Sequence, residues 1–106
     1  MLNVTIAAKT KDAFGTFFDE SYVRTMGDRH SFIRPNVGSL YRLGKLTGLV
    51  LYISPHEMIV LTIQVKGSRD IIAAYNFFEV AGGTKIIANM INVPSGAAGD
   101  AVVGAV

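Results

Sequence analysis

The segment from Leu46 to Val65, LTGLVLYISPHEMIVLTIQV, constrains this chain more than any other. Two aliphatic and β-branched runs, 46–53 and 58–65, flank Ser54-Pro55-His56-Glu57, a turn with Pro at its second position. Runs of this kind and length on either side of such a turn predict a β-hairpin. With Ile53 paired to Met58, one face holds Leu49, Leu51, Ile53, Met58 and Val60. The other holds Val50, Tyr52, Ile59, Leu61 and Ile63. Neither face is polar, and strands that are apolar on both sides require cover on both sides.

A chain of 106 residues supplies one modest core, because a domain of this size buries roughly two thirds of its unfolded surface. Only 17% of the residues are charged, against about a quarter in ordinary soluble domains. Sparse charge and a two-faced hairpin together predict that something else covers part of the surface. Copies of the chain or other subunits of an assembly are the expected partners, with Leu49, Leu51, Ile53, Met58 and Val60 as the interface.

The flanking segments complete the reading. Leu2 to Ala8 alternates as a half-buried strand does. Residues 11–26 place Ala13, Phe14, Phe17, Phe18, Tyr22, Val23 and Met26 near helical spacing, with Thr10 or Asp12 as cap and Gly27 as stop. Phe32 to Arg34 fits a short edge strand ended by Pro35. Residues 68–80 read as a helix capped by Ser68 and stopped by Gly82-Gly83, or as the first arm of a hairpin turning at those glycines; cap and stop favour the helix. Thr84 to Val93 returns as a strand. The expected fold is α+β, a mainly antiparallel sheet on the 46–65 hairpin with helices at 11–26 and 68–80; a small all-β barrel or sandwich is the alternative. A single globular domain is expected over 1–93. The small-residue stretch 94–106 is expected to act as an arm, docking through Val102, Val103 and Val106 onto a neighbouring subunit or an open sheet edge.

Chemistry is harder to find. Cysteine is absent, which removes disulfides, thiolate nucleophiles and Cys-based metal sites. His56-Glu57 begins like a zinc-protease motif, but Val60 stands where the second His belongs. Asp28, His30 and Ser31 superficially resemble a hydrolytic set, yet adjacent residues in a turn seldom face one another. Residues 38–46, GSLYRLGKL, fail a phosphate-loop count by one residue and lack its Ser or Thr. No cofactor and no enzymatic activity is expected.

Three functional classes follow. The first is a structural, non-enzymatic homo-oligomer or particle component, concretely a virion- or phage-like assembly protein. The second is a small β-barrel that binds single-stranded nucleic acid through Arg34, Arg42 and Lys45, with Tyr41 and Tyr52 as stacking platforms. The net charge of +2 permits this without arguing for it. The third is a membrane-associated subunit, since Glu57 is the one charge between Lys45 and Lys66. Against a spanning helix, an ionised carboxylate at mid-membrane costs about 2.5–3.5 kcal/mol. The N-terminal residues lack the basic start and long apolar run of a signal peptide, and the expected location is the cytoplasm or a particle assembled there.

Overall fold

In the computed structural model, which describes residues 2–93, the central hairpin forms with a register one residue away from the expected one. Ser54 pairs with Met58 and Ile53 with Ile59, so the connecting loop is Pro55-His56-Glu57. The Glu57 N–H donates to the Ser54 carbonyl at 3.0 Å, and His56 takes φ 64. A positive φ at the third turn position is what a type II turn requires after Pro. Ser54 Oγ also donates to Glu57 Oε2 at 2.9 Å, which tightens the loop.

The hairpin consists of β3 (Leu46–Ser54) and β4 (Met58–Ile63) within a six-stranded curled sheet among the described residues. The other strands are β1 (Leu2–Ile6), β2 (Leu40–Leu43), β5 (Ile71–Val80) and β6 (Gly83–Ile91). Their spatial order is β1-β6-β5-β4-β3-β2, and every pairing is antiparallel. Two short helices, α1 (Thr10–Thr16) and α2 (Glu20–Met26), lie between β1 and β2 in sequence. The α+β expectation holds, and the all-β alternative does not.

Three sequence expectations need correction. Residues 68–80 are not a helix: β5 alternates Ile71, Ala73, Tyr75 and Phe77 on the buried side with Ile72, Ala74, Asn76 and Phe78 on the other. Its apolar residues run all the way round, so a 3.6 period and a period of two fit equally well; pairing on both edges, to β4 and β6, decides for the strand. Gly82, at φ 82, turns β5 into β6 where it had been read as a helix stop. The 11–26 helix is broken in two because Asp19 caps a new start, its carboxylate accepting from the Tyr22 N–H at 3.2 Å. Thr16 Oγ1 donates to the Ala13 carbonyl at 2.6 Å and diverts the end of α1. Finally, Phe32 makes a single bridge to Arg42 rather than a strand. The arm expected at 94–106, with Val102, Val103 and Val106, lies outside the described residues.

The sheet curls around the helices, and its inner face is the core. Phe14 and Phe17 pack edge-on against Phe77 with centroids 5.4 Å apart in both pairs, and Phe17 meets Tyr75 at 5.1 Å. The hairpin tip joins this cluster, since the His56 ring stands edge-on to Phe14 at 5.6 Å and the Phe77 N–H donates to the Glu57 carbonyl at 2.8 Å. His56 is therefore a turn residue that anchors the hairpin to α1.

Candidate functional site

A bulge in β3 decides which side chains enter the concavity. Val50 pairs with Leu61 but Tyr52 pairs with Val60, so Leu51 is an extra residue and the alternation of faces reverses there. Before the bulge Val50 points in; after it Ile53 points in, beside Ile59. Leu51 and Tyr52 are both left on the outer side, where they join Leu49, Met58 and Val60. Of the five residues expected to share one face, Ile53 is the exception: it packs against the core.

Between helices and inner face lies an apolar cavity of about 250 Å³. The helices contribute Ala13, Thr16, Phe17 and Val23, and the sheet contributes Tyr41, Leu61, Ile63, Tyr75 and Ile86. Tyr22 and Met26 on α2 line it while remaining substantially exposed, so they mark its rim. None of the described side chains that line it is charged. A shallower trough between residues 7–11 and 79–83 is open to solvent.

Two buried phenols line the cavity. Tyr41 is 3% exposed, and its hydroxyl donates to the Thr62 carbonyl at 2.6 Å. To reach that oxygen from β2 the side chain must pass β3, where its partner is Gly48. A Cβ on Gly48 would collide with the same Thr62 carbonyl, so only glycine permits this close approach of β3 and β4. Tyr75 is 6% exposed, and no hydrogen bond joins its hydroxyl to another described residue. Burial pushes its pKa from 10.0 up to about 12. Burial first, and then repulsion from Tyr75 once that phenol ionises, holds the Tyr41 phenol well above the ordinary tyrosine range. Both are neutral hydroxyls at physiological pH.

The residues singled out for nucleic acid do not converge. Tyr41 lies inside the concavity while Tyr52, 52% exposed, stands on the outer face. The Arg34 guanidinium sits over the Phe32 ring at 4.8 Å, Arg42 Nε donates to the Gly44 carbonyl at 3.1 Å, and Lys45 projects from the β2–β3 turn. The Asp28-His30-Ser31 group is a loop tie. Asp28 Oδ1 accepts from the His30 N–H at 2.8 Å and from Ser31 Oγ at 3.2 Å, and Ser31 Oγ accepts from the Gly44 N–H at 2.9 Å. The His30 ring is turned to Arg29, whose Nε donates to its Nε2 at 3.2 Å. Among the described residues no group of three His, Cys, Asp or Glu is gathered, and no helix is long and apolar enough to cross a membrane.

Sequence reasoning missed Tyr75 and Phe17 as cavity residues. Period-two alternation in β5 puts Tyr75 and Phe77 with Ile71, a signal available only once the helical reading is dropped.

No family model matches the sequence, and no curated protein matches it. Solved structures do. A protein of Mesorhizobium loti superposes with a TM-score of 0.77 at 12% identity, covering 97% of this chain and 81% of that one. An HSP90 activator from Plasmodium falciparum gives 0.74 at 19% identity, covering 90% and 74%. DynU16, from the dynemicin biosynthetic locus, gives 0.76 at 12% identity; 98% of this chain covers 40% of that one. These likenesses overturn the expectation of a virion- or phage-like assembly component. The chain's own helices cover one face of the hairpin, and the other, with Leu51 and Tyr52, is left apolar and exposed, a feature that is not specific to a shell of neighbours. What the chain shares with these proteins is a fold, a curled antiparallel sheet around helices.

Proposed function

We propose that this chain is a binding module for a small, neutral, largely apolar molecule held between α1, α2 and the inner face of the sheet. The cavity carries the reading: about 250 Å³, aromatic and aliphatic walls, and hydroxyls as the polar features. Ligand pockets are mostly apolar with a few placed polar groups and span roughly 300–1,000 Å³, so this one suits a small ring system. A charged ligand would surrender its hydration without gaining a counter-charge. The fold is also that of CalU16 from Micromonospora echinospora, at a TM-score of 0.64 and 17% identity over 85% of this chain and 56% of that one. DynU16, from a biosynthetic locus, is consistent with a role beside small-molecule metabolism.

The role is binding rather than catalysis. No described residue lining the cavity is a carboxylate, a histidine or an amine, and burial holds the Tyr41 and Tyr75 phenols above their ordinary range.

The test is titration with tetralin, a neutral bicyclic hydrocarbon, followed by backbone amide NMR. Saturable binding at one site with shifts confined to α1, α2 and the inner strands is expected. Leu46→Trp, which places a large ring in the lining, should weaken binding at least tenfold while unfolding stays cooperative. No saturable shift in the wild-type chain, or undiminished binding by the filled variant, overturns the reading.

A further inference from the structure

The two buried phenols of the cavity differ in one respect. Tyr41 has its proton committed to the Thr62 carbonyl, whereas Tyr75 has no partner among the described residues. Buried polar groups in folded proteins are almost always satisfied. No side-chain oxygen or nitrogen in the described structure is both sealed from solvent and unpaired. A 94%-buried tyrosine whose hydroxyl has no partner among the described residues points that hydroxyl to the space it lines, and that space is the cavity.

Resting on the cavity reading, we infer that Tyr75 is the specificity-determining residue of the site, its O–H donating to a carbonyl oxygen on a flat, otherwise apolar ligand. Three features of the surroundings select that class. A phenol below its pKa offers one donor, and the matching ligand group is an acceptor. The described lining residues carry no charge, which favours a neutral carbonyl over a carboxylate or phosphate. Phe17 stands edge-on to Tyr75 at 5.1 Å and lines the same space, so a ring seated beside the hydroxyl meets aromatic surface. The Tyr41 oxygen retains lone pairs after donating to Thr62 and can accept from a hydroxyl on the same ligand, but it has no proton left to give.

A pair of probes of nearly one shape, tetralin and 1-tetralone, isolates the carbonyl. Affinities for both are measured by NMR titration on the wild-type chain and on Tyr75→Phe, a substitution that removes one oxygen and keeps the ring. The expected result is a cycle: Tyr75→Phe weakens 1-tetralone by about three- to tenfold, the range of one neutral hydrogen bond. Tetralin affinity stays within about twofold, which also shows that the variant cavity is intact. If both probes weaken together, or 1-tetralone does not weaken, the donor assignment is overturned while the cavity stands. If wild-type protein binds neither probe, the cavity reading falls first and takes this one with it.

Discussion

On the inner side of β4, Ile59 and Ile63 are 0% and 1% exposed; on the outer side of neighbouring β3, Leu51 and Tyr52 stand 40% and 52% exposed. Both sets are large and apolar, and they are a few residues apart in one hairpin. Side-chain chemistry does not separate them. The separation comes from two short helices that lie along one face of the sheet, and from a one-residue bulge that sends Leu51 and Tyr52 away from them. The inner face has become a core with a cavity in it, and the outer face is apolar without being buried.

Truncation is the most direct way to break this contrast. Ile59→Ala should cost about 2–5 kcal/mol, the range for removing a fully buried aliphatic side chain. Leu51→Ala should cost less, about 1 kcal/mol, because a large part of its side chain is already wet and its removal leaves no enclosed cavity. Denaturant midpoints at neutral pH measure both. Equal losses would mean that the outer face is as covered as the inner one.

The alkaline limb sharpens the contrast next. The Tyr75 pKa is raised in the folded chain, from 10.0 to about 12. Its contribution to stability is complete below pH 10 and is lost as pH rises toward 12, since the unfolded chain ionises first. Two units at ~1.4 kcal/mol each give a loss of about 2–3 kcal/mol across that window. Tyr75→Phe should flatten that part of the stability profile, measured by urea unfolding from pH 9 to 12. A profile identical to wild type would place the phenol in water.

Much of the fold was legible because it rests on local pattern. The 46–65 hairpin, the strands at 2–6 and 83–91 and the stop at Gly27 follow from β-branched runs, alternation and turn residues. Residues 71–80 were misread because Ile, Ala, Tyr and Phe cover every side of the segment, and only pairing with β4 and β6 tells strand from helix. The bulge at Leu51 was invisible because nothing in Leu51-Tyr52 marks an extra residue; it is set by the ladder to β4. The site was hidden for the same reason: Tyr41 and Tyr75 are brought together by long-range strand order, and the sequence offered Tyr41 only as an exposed platform.

A smaller effect is expected at Tyr41. Tyr41→Phe leaves the ring in place and removes the proton that holds the buried Thr62 carbonyl, so a loss of about 1–2 kcal/mol is expected. The measurement is thermal unfolding near neutral pH. A neutral substitution would mean that the Thr62 carbonyl finds another donor when the phenol is gone.

The smallest effect belongs to Asp28, at the seam where the α2–β2 connection meets the β2–β3 turn, away from both apolar faces. Its pKa lies below the ordinary 3.8: the His30 N–H holds it down most, desolvation opposes this as the next-largest effect, and the Ser31 hydroxyl and the Arg42 and His30 charges lower it further. A lowered pKa contributes stability above about 3.8 that is lost as pH falls through the folded value. The carboxylate is solvated and Arg42 lies 3.9 Å away on the surface, so screening keeps the effect slight. Asp28→Asn retains an oxygen to accept from His30 and Ser31 and discards the titrating charge. The variant should melt close to wild type at pH 7 and show a shallower decline between pH 4 and 2. Parallel declines in wild type and variant would assign the acid sensitivity to other carboxylates. They would leave Asp28 as a hydrogen-bonded tie whose charge is immaterial, in contrast to Tyr75, whose ionisation the inner face resists.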